Sequence, residues 1–224
     1  MDTVTNAADA PMVYVVDDEE SMRESLRQLL RSAGFTVTTF ECAEDFLATH
    51  VPDTPACAIM DVRLKGQSGL VLQQRLSASH RDLPVIFMTA HGDVAMSVKA
   101  MKRGAFDFFA KPFREQDLLD SVSEALEKSR KQREKGHALE RLARCHQLLT
   151  PRERDVMALI VDGQRSRDIA EKLGLSEATV KVHRTQAMKK MESTSIAEFV
   201  LKGHRLGIVA SASAFTQQKP SSKG

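Results

Sequence analysis

Residues 12–18 read Met-Val-Tyr-Val-Val-Asp-Asp, and residues 56–61 read Ala-Cys-Ala-Ile-Met-Asp. Each is a short apolar run that stops on an aspartate. Four to eight apolar residues without alternation read as a strand buried on both faces. Working outward from these two, the pattern recurs. Residues 36–40, 85–88 and 106–110 make three more strands, the last two ending at Thr89 and at Lys111-Pro112. Stretches with helical spacing separate the strands. Residues 20–33 carry Met22, Leu26, Leu29, Leu30 and Ala33 on one stripe. Helices follow at 43–49, 69–78 and 93–103, and another opens near Arg114. Gly34 and Gly104 stand as helix stops.

Strands alternating with helices predict a parallel sheet covered on both faces. In such sheets ligands sit beyond the carboxyl ends of the strands. Asp17, Asp18, Asp61, Thr89 and Lys111 all occupy those ends. One strand-end aspartate alone reads as a helix cap, whereas the set of five reads as one pocket. Three converging carboxylates repel one another, and a hard cation such as Mg2+ neutralises them. A carboxylate can also attack phosphorus to give an acyl phosphate. A metal and a lysine offset charge on the transferred group, and a threonine hydroxyl donates to it.

Net charge over the 224 residues is only +2, but it is unevenly spread. Residues 11–127 carry a net of −6, residues 128–149 a net of +5 and residues 150–210 a net of +3. An acidic first half and a basic second half suggest separate tasks, with a polyanion as partner of the second. Cys42, Cys57 and Cys145 form no metal or redox motif and are expected as reduced thiols. No apolar run approaches a membrane span, and the polar, acidic first ten residues do not resemble a signal peptide. A cytoplasmic protein is expected.

The strand-end motifs carry a resemblance. Val15-Val16-Asp17-Asp18-Glu19, Met60-Asp61-Val62-Arg63, Met88-Thr89-Ala90 and Lys111-Pro112-Phe113 resemble those of receiver domains, with the flavodoxin-like (βα)5 fold, over residues 11–128. Residues 89–113 are similar to those of the FixJ subfamily of bacterial two-component response regulators. The resemblance implies that Asp61 is the phosphorylation site and that a sensor histidine kinase supplies the phosphoryl group. It implies Mg2+, or another divalent cation in its place, held by Asp18, Asp61 and the main-chain carbonyl of Arg63, with Asp17 on a metal-bound water. Thr89 and Lys111 would grip the phosphoryl oxygens. The Lys111–Pro112 bond would be cis, and Phe108 would be the switch aromatic. Phosphorylation would promote dimerisation through the face carrying residues 93–127. Where the family usually has proline soon after the aspartate, this chain has Lys65, which puts the rigidity of that loop in question.

Beyond Arg114 the apolar positions Leu118, Leu119, Val122, Ala125 and Leu126 give way to the polar run 128–137, then resume at Leu139, Leu142 and Leu148. Residues 114–148 read as one long helix, or as two with a soft point at Gly136. The polar run is expected as a solvated spacer within a helical linker at 129–148, with a coiled-coil dimer stem as the alternative. Residues 149–208 form a second, all-α domain of four helices: 151–162, 166–173, 176–191 and 195–206. Residues 209–224 are expected to be disordered.

Thr150-Pro151-Arg152-Glu153 is a helix start with Thr as N-cap, Pro at N1 and Glu at N3. Ser176 caps another. Ile169, Ala170, Leu173, Gly174 and Leu175 have helix-turn-helix spacing. On helix 176–191, Val180, Ala187 and Met191 fall on a core stripe. Thr179, Lys181, Val182, His183, Arg184, Thr185, Met188 and Lys189 lie largely off it. A cationic, partly apolar outer face suits a major groove, although a merely solvated basic face has the same look. The block from about 148 to 208 resembles the LuxR/NarL-type DNA-binding domain. That implies promoter DNA and RNA polymerase as partners, a homodimer on phosphorylation and a transcription factor, with activation favoured.

Two other readings use the same residues. A phosphotransferase or haloacid-type phosphatase would use Asp61 as nucleophile, but needs a second aspartate two residues on, where Arg63 stands. A regulator whose receiver takes no phosphate is the other. The expectation is a phosphoacceptor, not an enzyme. His91 is expected as a loop histidine beside the pocket.

Overall fold

The computed structural model describes residues 10–64, 67–78, 83–90 and 94–208. Lys65, His91, Asp93 and the tail from 209 lie outside the described residues. The chain divides into two units, Met1–Glu134 and Lys135–Gly224.

The first unit runs β1 (Met12–Val16), α1 (Glu20–Ser32), β2 (Thr36–Phe40), α2 (Ala43–Ala48), β3 (Ala56–Asp61), β4 (Arg63–Leu64), β5 (Gln67–Ser68), α3 (Gly69–Ala78), β6 (Val85–Thr89), α4 (Val94–Lys102) and β7 (Asp107–Ala110), then enters α5 (Glu115–Gln147). Five strands form one parallel sheet in the order β2-β1-β3-β6-β7. The short β4–β5 ribbon is antiparallel, pairing Arg63 with Ser68 and Leu64 with Gln67. It was not expected, because two-residue strands leave no apolar period.

Side chains alternate across the sheet and explain why the strands read as unbroken apolar runs. Tyr14, Val16, Ala58, Met60 and Phe87 pack on one face with Phe46, Leu72 and Leu76 from α2 and α3. Val13, Val15, Ile59, Ile86 and Met88 pack on the other with Leu26 and Leu30 of α1 and Leu118, Val122 and Ala125 of α5. The chain leaves β1 for β2 on one side and returns to β3 on the other. A crevice therefore opens above the carboxyl ends of β1 and β3, the place where such sheets bind ligands.

α5 is one helix through Gly136. Most of the polar run 128–137 is exposed, as a solvated spacer would be, but its first turns are anchored. Ser129 is buried, and its Oγ accepts the Ala56 N–H at 3.1 Å. Arg133 pairs with Asp53, and Lys128 stands 5.3 Å from the centre of the Phe106 ring. A polar helix is thus pinned to the amino end of β3 by single side chains, a mode of attachment with no apolar signature.

In the second unit the last turns of α5 belong to the core. Cys145 and Leu149 are buried, with Leu142 packed beside them. They pack with Val156, Met157 and Ile160 of α6 (Pro151–Val161), Ile169 and Leu173 of α7 (Ser166–Leu173), Val180 and Ala187 of α8 (Glu177–Lys190), and Phe199 of α9 (Ile196–Arg205). The four helices fall within about two residues of their expected bounds, the usual scatter for helix ends. None of the described helices is long and apolar enough to cross a membrane.

Candidate functional site

β1 delivers Asp17 and β3 delivers Asp61 to neighbouring strand ends, since Val16 is in register with Met60. β7 delivers Lys111, whose N–H donates to the Thr89 carbonyl at 2.8 Å. The Lys111 ammonium donates to Asp17 Oδ2 at 3.0 Å and to Asp61 Oδ2 at 3.1 Å. The Lys111–Pro112 peptide is cis, as the resemblance implied.

Asp17 is fully buried, and each of its polar atoms is engaged. Its N–H donates to Phe40 O, Oδ1 accepts from Glu19 N–H at 2.9 Å, and its carbonyl accepts from the Arg23 guanidinium at 2.7 Å. Burial raises the Asp17 carboxyl above the ordinary carboxylate range, against the opposing pull of the Glu19 N–H and of Lys111. Burial also pulls on Lys111, downward, but the two carboxylates outweigh it and hold the ammonium above the ordinary lysine value.

Asp61 is half-buried, and its Oδ1 accepts the Arg63 N–H at 2.8 Å. Arg63 itself is exposed. Thr89 is buried at the end of β6. Asp18 is half-buried beside Asp17, and Phe108 is half-buried against the cluster that holds Phe87 and Ala105. Pro112 is exposed.

Glu19, Arg23 and Gly69 also build this site and were not singled out from the sequence. Their roles run through main-chain atoms, which leave no spacing signal. Gly69 donates its N–H to Val62 O at 2.9 Å. A Cβ on Gly69 would lie 2.3 Å from the Asp61 carbonyl oxygen and 3.1 Å from Phe87 Cε1. Gly69→Ala is therefore expected to push the end of β3 away from α3. It should cost about 1–3 kcal/mol of first-unit stability in thermal unfolding, the usual range for overpacking. A wild-type melting curve would show that the backbone accommodates the methyl group.

The oxygen donors suit a hard divalent cation in chemistry and charge. Asp17 and Asp61 place two carboxylate oxygens about one ammonium, and Asp18 adds a further negative charge. Among the described residues no three His, Cys, Asp or Glu side chains stand together as a complete ligand set. An ion here would therefore complete its shell with carbonyl and water oxygens, as Mg2+ commonly does.

The second unit presents a different surface. Thr150 and Glu153 form a capping box at α6. α7 ends at Gly174, whose φ of +64° allows the tight turn into α8, with Leu175 N–H returning to Ala170 O at 2.9 Å. Ser176 caps α8 through the Thr179 N–H at 3.1 Å, and its hydroxyl also bonds that of Thr179. Val180, Ala187 and Met191 are fully buried, as their spacing predicts. Lys181, Val182, Thr185 and Lys189 are exposed, while Thr179, His183 and Arg184 are half-buried. Thr179 is thus partly consumed by the cap. The Thr185 hydroxyl donates to the Lys181 carbonyl at 2.9 Å, which leaves its oxygen as an acceptor and its methyl group for contact. Arg184, Thr185, Met188 and Lys189 line an open cleft of about 470 Å³ with Ser193 and Ile196. Ser193 and Ile196 fall outside the helix that the sequence marked.

A parallel sheet with an acidic crevice, followed by a helix-turn-helix with a cationic outer face, defines a receiver joined to a DNA-binding unit. Comparison with known proteins agrees. Residues 13–123 match the response regulator receiver domain family, and residues 147–202 match the luxR family of bacterial regulatory proteins. The chain is 44% identical over 213 residues to nodulation protein W of Bradyrhizobium diazoefficiens, covering 95% of this chain and 94% of that one. It resembles the solved structure of response regulator StyR with 43% identity and a TM-score of 0.77, covering 88% of this chain and 99% of that one. Full-length FixJ from B. japonicum is similar at 36% identity and a TM-score of 0.51, covering 88% and 98% of the two chains. The chain belongs to the two-component response regulators of the FixJ subfamily, transcription regulators with a LuxR-family DNA-binding domain.

Proposed function

We propose that a sensor histidine kinase phosphorylates this response regulator on Asp61, and that the added charge promotes homodimerisation and promoter binding. One observation carries the reading: the Lys111 ammonium stands about 3 Å from both Asp17 and Asp61 at the open end of the sheet. In the transfer, an Asp61 oxygen bonds to phosphorus as the bond to the donor's imidazole nitrogen breaks. Lys111 then gives up a carboxylate and pairs with the phosphoryl oxygens, while the Thr89 hydroxyl donates to them. Arg63 N–H keeps the acceptor carboxylate turned to the crevice. Asp17, Asp18, Asp61 and the Arg63 carbonyl would hold Mg2+, which supplies neutralising charge to the phosphoryl group.

The chain acts as a phosphoacceptor and not as an enzyme, since Arg63 stands where an aspartate acid/base would be needed. Movement of Thr89 toward the phosphoryl group frees space for Phe108 to turn inward. This shifts a two-state equilibrium of the face that includes α4. Val98 and Met101 of α4 are exposed, which suits that face to a second copy. The α8 residues Lys181, Val182, His183, Arg184, Thr185 and Lys189 meet DNA, and the bound dimer recruits RNA polymerase as an activator.

The test is to incubate the protein with Mg2+ and a small acyl-phosphate donor, then measure intact mass and light scattering. A gain of one phosphoryl group with a doubling of molar mass is expected. No mass gain would favour a regulator that works without phosphate, and a phosphorylated monomer that binds DNA tightly would remove dimerisation from the account.

A further inference from the structure

The end of α8 is built in an unusual way. Glu192 N–H returns to Lys189 O at 3.1 Å and Ser193 N–H returns to Met188 O at 2.9 Å, the bonding of a Schellman helix stop. The residue at its turning point adopts a left-handed conformation, and glycine is the usual choice. Here it is Glu192, with φ of +51°, the sole non-glycine positive φ among the described residues. Something must hold it there. The Lys202 ammonium of α9 donates to the Met191 carbonyl at 3.0 Å and to the Glu192 carbonyl at 2.7 Å, and pairs with Glu198 Oε1 at 2.7 Å. The Met191 carbonyl, which also accepts the Ser193 hydroxyl at 3.3 Å, is a helix-end acceptor that the helix itself cannot satisfy, and a cation at this end also suits the helix dipole. The Glu192 carboxylate is held by Arg141.

We infer that Lys202 is a positioning residue for DNA recognition: by fixing the Met191–Glu192 stop, it sets where the α8 outer face is presented. The cleft residues Met188, Lys189 and Ser193 flank that stop directly. Lys202 is half-buried and spends its donors on the protein, so it acts through α8 rather than on phosphates. The inference rests on α8 being the helix that meets DNA.

The test uses the full chain, phosphorylated, with an operator fragment selected by the wild-type protein, at a temperature where circular dichroism shows each variant folded. Lys202→Met is expected to weaken binding about tenfold, and Lys202→Arg to restore it to within about threefold. The slope of log K against log salt should not change for Lys202→Met, because no phosphate contact is lost. Lys181→Ala should lower that slope by about 1. Unchanged affinity in Lys202→Met, or a slope lowered as in Lys181→Ala, would overturn the inference. Glu198→Gln keeps the carbonyl bonds and should bind within about twofold of wild type; a tenfold loss there would assign the effect to the ion pair and also overturn it. If Lys181→Ala changes neither affinity nor slope, the assignment of α8 to DNA fails instead.

Discussion

Asp61→Asn is expected to gain no phosphoryl group under conditions where the wild-type protein is fully labelled, and to remain a folded monomer. Asparagine has the shape of the aspartate and keeps an oxygen for the Arg63 N–H, now 2.8 Å from Oδ1. An amide lacks the charged oxygen that attacks phosphorus. With its oxygen toward Arg63, the amide turns its NH2 toward the Lys111 ammonium, donor against donor. Lys111 then falls wholly to Asp17, 3.0 Å away. Part of the lost attraction is returned, because Asp17 no longer faces a second carboxylate. Stability should therefore stay within about 1–2 kcal/mol of wild type, in contrast to the complete loss of labelling. Omitting Mg2+ from the wild-type reaction should slow labelling without unfolding the protein. Mass spectrometry decides the matter: a labelled Asn variant would place the acceptor on another side chain.

The proposed acceptor, Asp61, could be found in the sequence because its strand is so simple. Ala56 to Met60 are buried on both faces, so nothing interrupts the apolar run before Asp61. Asp17 ends β1 for the same reason. That Asp17 and Asp61 are neighbours was less legible. It depends on β1 lying between β2 and β3, an order that strand patterns alone do not contain. The alternation of βα units and the family resemblance supplied it.

What escaped the sequence has a common physical origin. Arg23 reaches a main-chain carbonyl, Gly69 gives clearance to another, and Ser129 accepts a strand-end N–H. Each contact involves backbone that every residue possesses, so the partner leaves no mark. The linker shows the consequence. Its polar composition suggested solvent, and most of residues 128–137 are exposed, yet Ser129 is buried and Arg133 is paired with Asp53. At the other end, Leu142 and Cys145 join the second core, so apolar spacing there marks a helix that packs on its own domain. The α8 stripe succeeded because Val180, Ala187 and Met191 bury whole side chains, the one signal that periodicity carries well.

Glu153→Ala should destabilise the second unit by about 2–4 kcal/mol, as much as truncating a core side chain. The sequence marks Glu153 as the far end of a capping box, and the structure gives it a second task. Its Oε2 accepts the Thr150 N–H at 2.8 Å and the Lys190 ammonium at 2.7 Å, with the side chain only 7% exposed. One carboxylate thus caps α6 and ties it to the last turn of α8. Losing a cap costs about 1 kcal/mol, and losing a charge-assisted hydrogen bond at a mostly buried site about 1.5–3. Glu153→Gln keeps an acceptor for Thr150 but not the charge, and should cost about half as much. The two losses also differ in pH dependence. Burial acts to raise the Glu153 pKa, but Lys190 and Thr150 prevail and hold it below the ordinary glutamate value of 4.5. A lowered folded-state pKa stabilises the fold in full above that ordinary value, and the contribution fades as acid protonates the folded carboxylate. The gap between wild type and Glu153→Gln should accordingly be widest near neutral pH and shrink below about 4.5. Calorimetry across that range measures it. A gap that stays constant into acid would mean the carboxylate charge adds nothing, leaving α8 tethered to α6 by apolar packing alone.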